Sequence, residues 1–274
     1  MMKRYLSPAK VNIFFKVLNK REDGFHNIYS LYQAVSLFDE ISFEISKKDS
    51  FFSSDPSLNF EDNLIKKAIF LFREKTKILN PLKINLKKNI PIQAGLGGGS
   101  SNAATTLFAL NEIFNFPLSE KELFELSKNI GSDTFFFFSN GSALCSKRGE
   151  EFENFKFLNL EFYIFKPFFG MDTKSVFTNL NLNNLKSIDI HEVRENLKND
   201  KISIFNDLEA SAFSLNPELL KIKNLLLENF DTVSMSGSGS SFICFNKKSK
   251  KVLENFLQYK VFTIQRKEKS WYSF

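Results

Sequence analysis

The sequence predicts an α+β fold with largely antiparallel sheets. A stretch of strict apolar/polar alternation lies near the N-terminus, and a glycine-rich segment later leads into a helix of small residues. The second half mixes short strand-like runs with helix-like runs, and such mixing favours α+β over a regular alternation of parallel strands and helices. With 274 residues, the chain is long enough for one large domain or two small ones.

The first strand is predicted at residues 9 to 17, where apolar side chains alternate with Lys10, Asn12, Phe14 and Lys16. This is the two-residue period of a half-buried strand. Lys10 and Asn12 therefore project from the same face, about 7 Å apart. The polar residues 20 to 24 end in a glycine and are typical of a hairpin turn.

The remaining elements follow from the same patterns. Asp62 is a good N-cap for a helix with Leu64, Ala68 and Phe72 on one face, and Ser119-x-x-Glu122 is a capping box. The other predictions are strands at 28–37, 41–45, 82–86, 162–165 and 261–264; helices beginning near Ser100 and running at 173–180, 207–213, 218–227 and 250–257; and a strand–loop–strand at 236–245.

Composition limits the class of protein. A net charge of +6 suits an anionic partner, but the lysines are spread along the chain, so most are expected on solvated faces. Cys145 and Cys244 form no Cys-x-x-Cys pair, which argues against zinc or disulfides and for buried reduced thiols. No apolar signal core opens the sequence, and the aromatic run 135–138 is too short to span a bilayer. We therefore expect a cytoplasmic protein.

The strongest chemical signal is a glycine-rich segment before a predicted helix. Four glycines within five residues let a backbone approach a ligand closely, and a helix N-terminus offers free N–H groups with partial positive charge. The sequence therefore predicts a phosphate cradle. Its candidate nucleotide-binding residues are Pro91, Ile92, Gln93, Ala94, Gly95, Leu96, Gly97, Gly98, Gly99, Ser100 and Ser101, with the two serines as expected helix caps.

Two common phosphate motifs do not fit this segment. A Walker A loop ends in Gly-Lys-Ser/Thr, and no lysine occupies that place. A dinucleotide fingerprint needs a third glycine where Ser100 stands, and its acidic partner would have to be Glu120, which lies in a helix cap. A nucleotide-dependent oxidoreductase stays an alternative on the glycines alone, and nicotinamide fluorescence would identify it.

Three segments together resemble the motifs of the GHMP kinases, the superfamily of galactokinase, homoserine kinase, mevalonate kinase and phosphomevalonate kinase. Residues 91–103 resemble the ATP-binding motif, residues 7–13 the opening strand and residues 236–241 the third, glycine-rich motif, in the family's order. The resemblance implies a two-domain fold: a ribosomal-protein-like α/β domain at 1–150 and a ferredoxin-like α+β domain at 151–274.

One segment indicates the branch of the superfamily. Arg21-x-Asp23-Gly24-Phe25-His26 is similar to a stretch that holds cytosine in the diphosphocytidyl-methylerythritol kinases. An aromatic ring can stack on a pyrimidine, and a histidine can hydrogen-bond its edge. Phe25 replaces a tyrosine found in many relatives. Two further departures are Phe135, where a proline is common, and Ser240-Ser241 in the third motif.

The resemblance implies transfer of the ATP γ-phosphate to the 2-hydroxyl of 4-diphosphocytidyl-2-C-methyl-D-erythritol, in the non-mevalonate isoprenoid route, with ATP and Mg²⁺ as cofactors. Asp133, in a Gly-Ser-Asp-Thr segment similar to the family's Gly-Ala-Asp-Val, is then expected to act as the base or at least to orient the hydroxyl, with Lys10 beside it. Asn12, Phe25 and His26 would bind substrate, and Asn63 and Lys88 would border adenine. The sequence assigns no metal ligands.

Two further functions are alternatives to this kinase activity. An RNA-binding module would suit the basic charge and the ribosomal-protein-like fold, and would bind RNA with steep salt dependence. Mevalonate and homoserine kinases share the motifs but have no use for a cytosine-stacking segment. We expect a small-molecule substrate, no nucleic acid and no membrane as partners. Whether the protein is a monomer or a homodimer stays open.

Overall fold

A computed structural model describes residues 2–185, 188–199, 201–249 and 253–273. Within these ranges two sheets carry helices on their faces. The strands are β1 (Lys3–Lys20), β2 (His26–Ile45), β3 (Ser50–Ser53), β4 (Leu82–Lys87), β5 (Ser142–Lys147), β6 (Glu151–Asn154), β7 (Glu161–Pro167), β8 (Phe205–Asn206), β9 (Phe230–Met235), β10 (Phe242–Lys247) and β11 (Phe256–Phe262). The α-helices are α1 (Leu64–Thr76), α2 (Gly98–Ile113), α3 (Glu120–Lys128), α4 (Thr173–Thr178), α5 (Ile190–Lys198), α6 (Glu209–Leu215) and α7 (Glu218–Asn229), with 3₁₀ turns at Thr134–Phe138 and Leu182–Asn184.

The larger sheet is built around the antiparallel pair of β1 and β2, in the order β3-β4-β2-β1-β8. The strand β2 is long enough to pair with β5 over residues 28–33 and with β4 over residues 40–45. The two strands predicted at 28–37 and 41–45 are therefore one continuous strand. The reason is that residues between them stay paired with β1, where Leu6 lies opposite Glu40 and Ser7 opposite Asp39.

The smaller sheet is antiparallel, in the order β11-β7-β10-β9. It joins the larger sheet through an isolated bridge between Val35 and Thr263. Strands β6 and β8, from the second half of the chain, pair into the larger sheet. The division into residues 1–150 and 151–274 stays a prediction.

Helix starts differ from the sequence predictions in two places. Helix α2 begins at Gly98 and its N-cap is Gly97, in the left-handed region, so Ser100 and Ser101 lie inside the helix rather than capping it. Helix α1 is capped by the Asn63 side chain, which accepts from Ile65 N, instead of by Asp62. The capping box of Ser119 and Glu122 is confirmed.

The helix predicted at 250–257 is wrong where it can be checked. Residues 250–252 lie outside the described ranges, and Phe256 and Leu257 belong to β11, opposite Pro167 and Lys166. The apolar spacing there serves a strand that packs on β7. Among the described helices, none has both the length and the apolar composition needed to cross a membrane.

Phenylalanine rings form much of the hydrophobic core. All four rings of the aromatic run 135–138 are buried, and Phe136 packs edge-on against Phe137 with ring centroids 5.2 Å apart. Cys145 and Cys244 are buried, unbridged thiols, as predicted. Burial raises the pKa of both thiols. The run begins two residues after Asp133, so its packing helps to fix that part of the backbone.

A buried ion pair fastens the start of α6 to the first strand. Lys16 Nζ lies 2.9 Å from an Asp207 carboxylate oxygen, and the two side chains are 7% and 10% exposed. The same carboxylate accepts from Val17 N at 2.9 Å, and Asp207 N donates to Phe15 O at 2.9 Å. Because buried charges need their partners, this pair fixes the position of residues 205–209 relative to β1.

Replacing Asp207 with alanine should therefore destabilise the fold strongly. We expect Asp207→Ala to lower the free energy of unfolding by about 3–5 kcal/mol, since it removes the carboxylate facing a buried ammonium. The matched control is Glu161→Ala, which breaks an exposed pair with Lys260 and should barely change the urea midpoint. Equal losses in urea denaturation for the two variants would contradict a structural role for the Asp207 pair.

Candidate active site

The first strand presents two polar side chains to one face of the larger sheet. Asn12 lies opposite Tyr32 on β2, so these side chains share a face with Lys10, two residues away. Lys10 Nζ donates to Asn12 Oδ1 at 2.9 Å, and Asn12 Nδ2 donates to Ser30 Oγ at 2.9 Å. The predicted proximity of Lys10 and Asn12 is thus a direct hydrogen bond.

The Lys10 ammonium is buried, with 3% of the residue exposed. A buried charge is costly unless it is paired and hydrogen-bonded. Its partners are the Asp133 carboxylate at 3.3 Å, Asn12 Oδ1 and the face of the Tyr32 ring, whose centroid lies 4.7 Å away. The site is therefore organised around one positive charge held in a fixed position.

Asp133 reaches this charge from the residue before the 3₁₀ turn Thr134–Phe138. Its side chain makes no capping hydrogen bond to that turn, although the position is a cap position. Instead Oδ2 faces Lys10, and Oδ1 accepts from the Tyr32 hydroxyl at 3.2 Å. With 26% of its side chain exposed, the carboxylate is open to a ligand. The structure thus brings Lys10 and Asp133 together, and their catalytic roles stay a prediction.

The glycine-rich segment passes directly over Lys10. Lys10 N donates to Leu96 O at 2.9 Å, and a Cβ on Gly97 would lie 2.9 Å from Lys10 Cγ. Gly97 has φ +67°, which L side chains rarely adopt, so glycine is required there by both conformation and space. Helix α2 starts at the next residue, so its N-terminus, with its free N–H groups, follows the glycine that contacts Lys10. A helix N-terminus near a positive charge is the arrangement of an anion cradle.

The third glycine-rich segment, residues 236–241, closes the other side of the site. Ser236 Oγ donates to Gly95 O at 3.1 Å, and Ser241 N donates to Ala94 O at 3.2 Å. A Cβ on Gly237 would lie 3.5 Å from Lys10 Nζ. Both glycine-rich loops therefore converge on Lys10.

The other predicted nucleotide residues are placed unequally. The Lys88 side chain is 7% exposed and paired with Asp39, and its Nζ would lie 3.2 Å from a Cβ on Gly98, so it borders the cradle. Asn63 uses its side-chain oxygen to cap α1. Ser101 is buried and accepts from Ser7 Oγ at 2.8 Å, while Ser100 is half-buried.

The start of the glycine-rich segment points elsewhere. Ile92 and Gln93 are exposed, and Gln93 has φ +48°. The Gln93 side chain lies against Gly170, where a Cβ would come within 2.5 Å of Gln93 Oε1. Pro91 is half-buried, and Gln93 O accepts from Met171 N at 3.3 Å. Gln93 therefore contacts the loop after β7.

The hairpin after β1 presents an exposed ring beside a buried imidazole. Phe25 is 55% exposed, and the guanidinium of Arg148 lies over its ring at 4.7 Å from the centroid. His26 is buried and packs on Phe177, with ring centroids 5.4 Å apart. Burial lowers the pKa of His26, and the charge of Lys20 adds to the effect. The imidazole is therefore neutral at neutral pH and offers one donor and one acceptor nitrogen.

Four site residues were missed from the sequence. Arg148 contacts Phe25, and Phe177 contacts His26. Tyr32 contacts Asp133. Asn206 donates to Met235 O at 2.6 Å and to Gly237 O at 2.7 Å. Asn206 thereby ties the third glycine-rich segment to the region held by Asp207. None of these four residues belongs to a motif. For Tyr32, the alternation of side chains along β2 could have indicated which residues share its face of the sheet.

No group of three or more His, Cys, Asp or Glu side chains that could hold a metal occurs in the described part of the chain. Asp133 is the carboxylate that faces the cradle. Mg²⁺ commonly binds through one or two carboxylates together with substrate phosphates and waters, rather than in an all-protein cage. The described residues around Asp133 therefore fit a Mg²⁺ ion that is bound mainly through substrate phosphates.

Comparison with known proteins defines the class first. Residues 63–141 match the family model of the GHMP kinases N terminal domain, and residues 182–260 match that of the GHMP kinases C terminal domain. The chain therefore belongs to the GHMP kinases, and the predicted two-domain α+β fold is confirmed.

Individual relatives narrow the class. The 4-diphosphocytidyl-2-C-methyl-D-erythritol kinase of Protochlamydia amoebophila is 44% identical, covering 98% of this chain and 93% of its own. The enzyme of that name from Chlamydia muridarum is 41% identical, covering 86% and 82%. A crystal structure of 4-(cytidine 5'-diphospho)-2C-methyl-D-erythritol kinase is 31% identical, with a TM-score of 0.76 over 89% of this chain and 90% of that one. The chain belongs to the 4-diphosphocytidyl-2-C-methyl-D-erythritol kinase family.

The contact between the two glycine-rich loops can be tested with one methyl group. Gly95 has φ +73°, and a Cβ there would lie 2.0 Å from the Ser236 carbonyl oxygen, which cannot move aside as a side chain can. We expect Gly95→Ala to lower the free energy of unfolding by about 2 kcal/mol or more and to weaken ATP binding.

The control is Gly99→Ala, in helix α2. Its Cβ would have no neighbour closer than Leu64 Cδ1 at 3.9 Å, and its φ is not positive. It should leave stability unchanged or raise it by about 0.5–1 kcal/mol, because alanine favours a helix. If thermal denaturation gave the two variants the same melting temperature, the tight loop contact would be disproved.

Proposed function

We propose that this kinase transfers the γ-phosphate of ATP to the 2-hydroxyl of 4-diphosphocytidyl-2-C-methyl-D-erythritol, giving the 2-phosphate and ADP in the methylerythritol phosphate route to isoprenoid precursors. Its family membership supports the reaction. The single observation that carries the proposal is the position of the Lys10–Asp133 pair, reached by the phosphate cradle on one side and open to a ligand on the other.

Phosphoryl transfer depends mainly on alignment and on stabilising charge. In the proposal the glycine-rich segment and the N-terminus of α2 bind the triphosphate through backbone N–H groups. Mg²⁺, when bound, would neutralise phosphate charge, with Asp133 as the carboxylate near enough to take part. Lys88 would add positive charge at the edge of the cradle, next to Gly98.

Asp133 is the proposed base. The acceptor oxygen forms a bond to the γ-phosphorus while the bond from that phosphorus to the β,γ-bridging oxygen breaks, and ADP leaves. The proton of the acceptor hydroxyl passes to Asp133. Lys10 offsets the negative charge that develops on the transferred group. Asn12 holds the Lys10 ammonium in place through Oδ1 and is proposed to help bind the acceptor beside it.

The diphosphocytidyl group is proposed to bind at the hairpin. Phe25 offers an exposed ring for stacking, and Arg148 lies over that ring, where its charge would also suit a diphosphate. Neutral His26 offers one donor and one acceptor nitrogen to the cytosine edge, which itself carries both kinds of group. Phe177 packs on His26 and fixes its ring.

We also propose a cytoplasmic location. Two unbridged thiols are normal for the reducing cytosol.

An ATP-coupled assay across a panel of acceptors tests the proposed reaction. We expect turnover with the diphosphocytidyl substrate at rates far above those with mevalonate, homoserine and galactose. Preferred turnover of mevalonate or homoserine would overturn the substrate assignment while leaving the kinase class intact.

Phe25→Ala should weaken the binding of the diphosphocytidyl substrate by about 1–3 kcal/mol, the range for loss of a base-stacking ring. That corresponds to roughly 5- to 150-fold in affinity. ATP affinity should barely change, because the cradle is built from other segments. Isothermal calorimetry with each ligand gives both values.

The control for this variant is Phe52→Ala, which removes another exposed ring, 64% exposed, from β3. It should leave both affinities unchanged. An equal loss of ATP and cytidine affinity in Phe25→Ala would argue against stacking, and a melting temperature lowered only in that variant would indicate a structural role instead.

A further inference from the structure

The Tyr32 hydroxyl contacts one carboxylate oxygen of the proposed catalytic base, and Lys10 lies near the other. Tyr32 lies in the middle of β2, paired with Asn12 on β1 and with Ala143 on β5, and is 2% exposed. Its hydroxyl donates to Asp133 Oδ1 at 3.2 Å, while Lys10 lies 3.3 Å from Oδ2. The two carboxylate oxygens therefore have different protein partners.

The hydroxyl acts as a donor in this contact. Burial raises the pKa of Tyr32 well above its ordinary value, and the nearby charge of Asp133 adds to the effect. The phenol therefore stays protonated, and an ionised carboxylate can only accept. Hydrogen bonds to charged groups are the stronger ones, so this contact is a defined constraint on the carboxylate.

Tyr32 also contacts the other member of the pair. Lys10 Nζ lies over its ring at 4.7 Å from the centroid, and a cation is attracted to a ring face. On its far side the ring packs on Phe136, with centroids 5.4 Å apart. Gly149, at φ +104°, passes so near that a Cβ there would lie 3.7 Å from the hydroxyl oxygen. The ring is thus held by packing, and its hydroxyl is held against Asp133.

We propose that Tyr32 is a positioning residue that fixes the orientation of the Asp133 carboxylate during phosphoryl transfer, an inference that rests on the role proposed for Asp133. With Oδ1 bound to Tyr32 and Oδ2 bound to Lys10, the carboxylate cannot rotate about its Cβ–Cγ bond without losing a contact. Its remaining lone pairs stay available to accept from the acceptor hydroxyl. Small misplacements of a reacting group cost rate steeply.

Replacing Tyr32 with phenylalanine separates the two contacts. Tyr32→Phe keeps the ring, and with it the Lys10 and Phe136 contacts, but removes the hydroxyl. We expect kcat to fall on the order of tenfold, as for loss of one hydrogen bond to a charged group, with both KM values within about twofold of wild type. The matched control is Tyr29→Phe, a buried tyrosine on the opposite face of β2, which should leave kcat unchanged.

A double-mutant cycle with Asp133→Asn decides whether Tyr32 acts through Asp133. Asp133→Asn alone should lower kcat on the order of 100-fold or more. Adding Tyr32→Phe in that background should then change kcat by less than about twofold, because no base is left to orient.

The inference is overturned if Tyr32→Phe leaves kcat unchanged, or if its effect is fully additive with Asp133→Asn. Either result would leave the proposed function standing, because the Asp133→Asn single variant reports on that separately. Near-wild-type activity of Asp133→Asn would remove the base, and with it the positioning role. Melting temperatures of all variants identify any loss that is due to unfolding.

Discussion

The site depends on one buried ammonium group. Lys10 is almost wholly removed from water, and a cation in that position persists only if carboxylate, amide or aromatic groups surround it. Asp133, Asn12 and the Tyr32 ring supply these contacts from three parts of the chain. Positioning the charge therefore positions the carboxylate, and the two glycine-rich loops are built around the same point.

The glycines make that convergence possible. Gly97 leaves room for the Lys10 side chain, Gly95 for the Ser236 carbonyl and Gly237 for the Lys10 ammonium. The third loop is held in turn by Asn206, next to Asp207, whose pair with Lys16 returns to the first strand. Asn12 N on the same strand also donates to Ser236 Oγ at 3.3 Å, across 224 positions of the chain. Contacts to β1 thus explain how parts of both halves of the chain can build one site.

The sequence predictions that the structure confirms came from local patterns in the sequence. Alternation placed Lys10 and Asn12 on one face, and the glycine-rich segment leads into a helix of small residues, as predicted. The position of Asp133 beside Lys10 came from family resemblance, since a single Asp before an apolar run is ambiguous. The start of α2 was misplaced because the left-handed Gly97, rather than a serine, ends the loop.

Contacts distant in sequence could not be predicted. That Tyr32 faces Asn12 depends on irregularities in the pairing of β1 and β2, including a shift between Asn12 and Phe14. Arg148 and Phe177 reach the hairpin only through the fold, and no local pattern marks either. The helix expected at 250–257 failed because apolar spacing over a short segment does not distinguish a helix from a strand that packs on a neighbour.

The central claim is that one Lys10–Asp133 centre lies between a phosphate cradle and a separate cytosine pocket. A crystal structure with a non-hydrolysable ATP analogue and 4-diphosphocytidyl-2-C-methyl-D-erythritol tests it most directly. We expect the cytosine to lie against Phe25 and His26 and the γ-phosphate to lie at the N-terminus of α2. The acceptor 2-hydroxyl should lie about 2.6–3.2 Å from an Asp133 oxygen. A cytosine bound away from the hairpin, or an acceptor hydroxyl that faces a group other than Asp133, would contradict it.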